Sequence, residues 1–294
     1  MIGRIFRNLY FLTFLNGFLI ATLFYFSMEA NYEKELFKAI QLNIDEKINP
    51  KDARDSLVVK VMHACNSLLT NRAPIFGNQI INGIKADLNS TSIDLMTAKG
   101  ACGSYAMVLT RVLENYHYPI RIAQMKAKGR FAAHNVVEVK LDEGWIVLDP
   151  LYDVYFIKPG GAGLASYSDV QHDWAYYSRQ LPANYNLAYK YEDVRYSNWQ
   201  KIPIILPAVK KVLDLVLGKE KSDTISMRTF FLNTYDLIYY IMLVIYIPIF
   251  LVTLKKLIKT KIFPQPNIPV TFSNIVRYLR LRFSGEQLES NINT

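Results

Sequence analysis

With 294 residues, 51% of them apolar, the chain has room for one sizeable domain plus appendages, and it is richer in apolar side chains than an ordinary soluble domain. A net charge of +9 suggests nucleic acid until it is divided by segment: residues 29–227 hold 24 basic and 22 acidic side chains, whereas 255–294 hold seven and two. The surplus sits in a short stretch beside an apolar run, where it favours anionic lipid and argues against a nucleic-acid partner.

The excess apolar content is concentrated. Leu9–Met28 and Leu237–Leu254 carry no charge, and each is long enough to cross a bilayer as a helix. The first run ends in bulky aromatic residues, and Met28-Glu29-Ala30 is a poor cleavage site, so residues 1–28 read as an uncleaved anchor. Arg4 and Arg7 precede the first span, and Lys255, Lys256, Lys259 and Lys261 follow the second. The positive-inside rule therefore predicts two cytoplasmic termini in the inner cell membrane, with the main domain extracytoplasmic or periplasmic. The expected organisation is an anchor over 1–28, a domain over 29–200, an amphipathic juxtamembrane segment over 201–228, a second span over 229–254 and a basic tail over 255–294. In that tail, "TFSNIVRYLRLRF" is a short basic amphipathic segment, a weak signal for a lipid or partner contact. A membrane-protein partner would account for the second span, although no residue demonstrates one.

Within the domain, residues 30–50 carry Leu36, Phe37, Ile40, Ile44 and Ile48 at helical spacing, and Asn49-Pro50 ends that helix. A second helix carries Leu57, Val58, Val61, Met62, Cys65, Leu68 and Leu69 as an apolar stripe. Residues 71–98 read as irregular, with Pro74, Gly77, Gly83 and the run "NSTS". A helix starting near Cys102 places Tyr105, Ala106, Leu109, Val112 and Leu113 on one face. Strand-like runs follow at Ile120–Met125, Asn135–Leu141 and Trp145–Leu148, the last two joined by the turn "DEGW". Helices first and strands afterwards predict an α+β domain with an antiparallel sheet. Tyr152–Trp199 is rich in tyrosine and poor in periodicity. It reads either as the lining of a groove or as filling for a small core and a wet membrane edge. "PAVKKVLDLVL" (207–217) divides into an apolar and a charged side, which suits the membrane surface or packing on its own domain.

The chemistry centres on "KGACGSYAMVLTR" (99–111). Cys65 belongs to a helix's apolar stripe and reads as a small core residue. Cys102 starts a helix, whose free N–H groups and partial positive charge favour a thiolate, and Gly100 and Gly103 leave the sulfur unshielded and admit other backbone. In an oxidising compartment the plain alternative is a Cys65–Cys102 disulfide. A cysteine nucleophile needs a base, and the base an orienting group. Of His63, His117, His134 and His172, only His134 opens a strand; Asp149 ends the next one, and antiparallel pairing brings the two ends together. The sequence holds no Cys-x-x-Cys or His-Glu-x-x-His metal spacing and no phosphate-binding glycine loop, so no metal or other cofactor is called for.

"GACGSYAMVLTRVLENYHYPIRIAQ", "AHNVVEV" and "GWIVLDP" together resemble the transglutaminase-like superfamily, a papain-like α+β fold, over about Gly100–Pro150. The resemblance implies a triad of Cys102 as nucleophile, His134 as base and Asp149 as orienting acid. It also implies a thioester acyl-enzyme acting on an envelope peptide or protein amide, resolved by water (protease or amidase) or by an amine (transglutaminase). Val136 stands where the family usually has an aromatic, and Gln79 is the candidate upstream oxyanion helper. The competing class is a non-catalytic binding or assembly subunit on the same fold.

Overall fold

The computed structural model describes residues 8–47, 53–76, 90–98, 101–199 and 204–259. The chain divides into two compact units, Met1–Met28 with Ile238–Thr294, and Glu29–Leu237. Gln79, Gly100, the end of the helix predicted over 30–50 and most of the basic tail lie outside the described residues.

Among the described residues, two helices are long and apolar enough to cross a membrane, α1 (Leu9–Asp45) and α9 (Thr234–Leu257). Within the first unit they meet through polar side chains: Asn16 Nδ2 donates to Thr253 Oγ1 at 2.8 Å, and both residues are buried. Such a bond ties two helices in a medium where apolar contact alone does not drive association. The separate helices predicted over 9–28 and 30–50 are one continuous helix of 37 residues. The change in composition at Glu29 marks where the helix leaves its apolar stretch. The backbone has no reason to break there, because Glu, Lys, Ala and Leu are all good helix formers.

In the second unit α2 (Arg54–Phe76), α3 (Thr91–Thr97) and α4 (Cys102–Glu114) precede β1 (Ile120–Ala127), β2 (Arg130–Leu141) and β3 (Gly144–Asp149). With β4 (Val154–Tyr155) and β5 (Val194–Arg195), the described residues form one antiparallel sheet in the order β4-β3-β2-β1-β5. The segment predicted as irregular over 71–98 is helical at both ends: α2 runs on to Phe76, and Ser90 of the "NSTS" run accepts from Ile93 N as the N-cap of α3. A serine-rich run reads as a loop, and it is also what a helix start requires.

The sheet is covered on both faces. Val58, Val61, Met62 and Cys65 of α2 pack with Ala106, Leu109 and Leu113 of α4 against Ile122, Val137, Val139 and Leu148. Alternation sends Ala123, Val136 and Val147 to the other face, where Phe156, Tyr167, Tyr177 and Tyr191 complete a second cluster. Helix α4 is buried from Ser104 to Leu113 on all sides, not along one stripe, because Phe37 and Ile44 of α1 close over it. Its Arg111 is retained in that setting by Glu114 at 3.2 Å and by the Phe37 ring.

The strands outrun their predicted limits, and this matters for the site. Lys128-Gly129, both left-handed (φ 49° and 76°), make a two-residue turn, so β2 begins at Arg130 and His134 lies inside the strand. Opposite Met125 and Lys126 the register jumps from His134 to Phe131, a bulge of the kind that re-aims side chains beside functional sites.

Candidate active site

Helix α4 projects Cys102 from its first position. The residue before it, Ala101, has φ 46° and ψ −127°, a conformation that costs a non-glycine residue about 1–3 kcal/mol. Ser104, in the same first turn, donates from Oγ to Asp94 Oδ1 of α3 at 2.6 Å, which fixes the helix start. Burial pushes the Asp94 carboxyl up to about 6, against the opposing pull of Ser104 and Arg228. A Cβ placed on Gly103 would meet only Arg228 Nη1, at 3.7 Å. The expected close approach of backbone at Gly103 is therefore absent, and a guanidinium occupies that space.

His134 and Asp149 are both fully buried, and His134 Nε2 lies 2.6 Å from Asp149 Oδ2. Asp149 Oδ1 receives the Tyr152 backbone N–H at 3.4 Å, and Asn66 Nδ2 holds the Pro150 and Leu151 carbonyls of the same turn. With Nε2 committed to Asp149, Nδ1 is the ring atom left for Cys102. It is buried without a partner of full hydrogen-bonding geometry, yet ring and thiol are close enough to act on one another. Asn135 adds a contact that sequence reading missed: its Nδ2 donates to Cys102 Sγ at 3.3 Å, and its backbone also favours the thiolate. Asn135 is 4% exposed, and its Oδ1 has no hydrogen-bond partner.

These contacts set the charge state. Burial opposes a Cys102 thiolate, but the His134 ring and both Asn135 donors outweigh it, and the thiol falls below its ordinary 9.0. Burial likewise opposes an imidazolium; the Asp149 carboxylate and the Cys102 sulfur overcome it and raise His134 to about 10. Both shifts favour the same charge pair, a thiolate beside an imidazolium.

Tyrosines wall the imidazole. Tyr189 stacks on His134 with ring centres 4.4 Å apart and planes 5° apart, and Tyr152 lies at 5.7 Å. Tyr185 packs on Tyr152 at 4.5 Å. Of the readings of the tyrosine-rich segment, core filling holds for Tyr167, Tyr177 and Tyr191, while Tyr152 and Tyr189 pack on the histidine ring.

The remaining candidates lie elsewhere. Cys65 and Cys102 are both free, so the disulfide is not formed, and burial pushes the Cys65 thiol up to about 12. His63 pairs with Asp153 at 2.7 Å on the surface, His117 sits in a left-handed turn, and His172 bonds Ser168 within the short helix α5 (Tyr167–His172), which α6 (Trp174–Tyr177) follows. Asn135 escaped notice because alternation assigns it to the face opposite His134, whereas the sulfur stands at the sheet's end, within reach of both. Its place directly after the histidine was the only signal. Nothing in the sequence points to Tyr189. No family model, curated protein or solved structure matches the chain.

Proposed function

We propose that the chain is a membrane-anchored, cysteine-dependent enzyme of transglutaminase-like fold that opens amide bonds in an envelope peptide or protein. In this reading both termini lie in the cytoplasm and the domain over 29–200 lies outside the inner membrane, the orientation that the basic residues flanking the two apolar runs favour. The observation that carries the chemistry is the run of contacts from Asp149 through His134 to Cys102, with Asn135 donating to the sulfur.

The Cys102 thiolate adds to the amide carbonyl carbon, and the carbonyl oxygen takes the negative charge. The Cys102 backbone N–H and Asn135 Nδ2 supply donors to that oxygen. The His134 imidazolium gives its proton to the leaving nitrogen, the C–N bond breaks, and a thioester remains. A water molecule or amine then attacks the thioester carbon while His134 takes its proton. The C–S bond breaks and the thiolate returns. Asp149 keeps the ring oriented and the imidazolium paired throughout. Asn135 Oδ1, buried and unpaired, would accept an N–H from the substrate backbone. Hydrolysis is favoured over transfer because it demands no second binding site.

The test is acylation by an activated acetyl ester, read by intact mass on the detergent-solubilised protein. A single acetyl group on Cys102, released by neutral hydroxylamine and absent in Cys102→Ser and His134→Ala, is the expected result. Acetylation unaffected by His134→Ala would overturn the proposal.

A further inference from the structure

Helix α7 (Ile205–Leu217) is turned the opposite way from every other long helix of its unit. Lys210 and Asp214 turn toward the short helix that follows, α8 (Lys219–Asp223): Lys210 Nζ pairs with Asp223 Oδ1 at 2.9 Å, donates to Ser222 Oγ at 2.6 Å and also meets Asp214. Lys210 further lies over the Trp199 ring at 5.8 Å. Its apolar side chains point away. Val212 is 59% exposed, Leu215 88% and Val216 70%, with Ile205 and Val209 on the same side, and no residue of the helix is buried. An isolated apolar side chain on a surface is ordinary, but a whole stripe at helical spacing, with Lys210 and Asp214 paired on the opposite side, is not.

Chain continuity identifies what covers the stripe. The connection from Gly218 to Asn233 is mostly taken up by the short helix α8 (Lys219–Asp223) and the 3-10 turn Met227–Phe231. Immediately after it, α9 begins the second run long and apolar enough to cross a bilayer. Sixteen residues so folded keep α7 within a few tens of ångströms of that span, at about 1.5–2 Å of rise per helical residue. Exposed Lys211, Lys219 and Lys221 flank the stripe, as lysines flank helices that lie in a headgroup layer. We infer that α7 lies in the bilayer interface, with Val212, Leu215 and Val216 immersed among the acyl chains next to the headgroups. The inference does not depend on the chemistry at Cys102.

The test uses the full chain in vesicles of phosphatidylethanolamine and phosphatidylglycerol. With Cys102→Ser as background, an environment-sensitive fluorophore is attached at Val212→Cys or Leu215→Cys, and at Lys128→Cys in the exposed β1–β2 turn as control. Lipid-borne nitroxide should quench the two α7 positions several-fold more than the control, and aqueous iodide should quench them several-fold less. Iodide quenching equal to the control would overturn the inference, because the stripe would then face water. Protection from both quenchers would overturn it equally, because the stripe would then be covered by protein.

Discussion

The two cysteines stand on helices packed against the same sheet, and their surroundings set them apart. Cys65 lies mid-helix in α2 with only apolar neighbours, so burial acts alone and its thiol is pushed up to about 12. Cys102 is also largely removed from water, yet its thiol is lowered, because an imidazole and the donors of Asn135 outweigh burial. Burial by itself makes a cysteine inert. Burial combined with donors aimed at the sulfur favours the thiolate instead.

Removing the imidazole tests this contrast most severely. In His134→Ala the Cys102 thiol loses the largest of the influences that lower it, and its alkylation near pH 6 should fall by about tenfold or more. Cys65 should remain unlabelled in both proteins until they are denatured. Asn135→Ala should lower turnover on an amide by about tenfold to a hundredfold, as expected for one oxyanion donor, and slow alkylation far less. Asn135→Asp should slow alkylation more than Asn135→Ala, since a carboxylate beside the sulfur opposes the thiolate.

Stability follows the same charges. The folded-state pKa of His134, about 10, lies above the ordinary 6.5. Its contribution is therefore whole below about pH 6.5 and disappears as the pH climbs through about 10. The gap in melting temperature between the wild type and His134→Ala should accordingly be wide near neutrality and narrow above pH 10. Cys65→Ser, which buries a hydroxyl among apolar side chains, should cost about 1–3 kcal/mol and leave the labelling of Cys102 unchanged. The smallest effects belong to the turn before the nucleophile. Ala101→Gly should stabilise the protein by about 1 kcal/mol, since glycine adopts the positive φ without penalty. Gly103→Ala should be nearly neutral, because the added methyl meets only a flexible guanidinium at an ordinary distance. A destabilisation of several kcal/mol in Gly103→Ala would show that the space beside Cys102 is tighter than described.

What the sequence disclosed and what it concealed follow a physical line. The meeting of His134 and Asp149 was legible because both belong to one hairpin, where antiparallel pairing fixes neighbours fifteen residues apart. The start of α4 was legible from its apolar spacing. Asn135 was not, because strand alternation separates it from His134 and only the position of the sulfur at the sheet's end reunites them. Tyr189 reaches His134 from an irregular segment with no periodicity to place it. Helix α1 was cut in two because composition changes at Glu29 while helix propensity does not. Local pairing rules can be read from sequence, whereas contacts made across elements by irregular segments cannot.

The central claim is that Cys102 is held as a thiolate by His134. Its most direct test is the rate of Cys102 alkylation from pH 4 to pH 10, followed by intact mass on detergent-solubilised protein, with His134→Ala alongside. The account predicts rapid labelling that persists well below the free thiol pKa of about 8.5 in the wild type and is lost in the variant. Slow labelling that rises only above pH 8 in both proteins would contradict it.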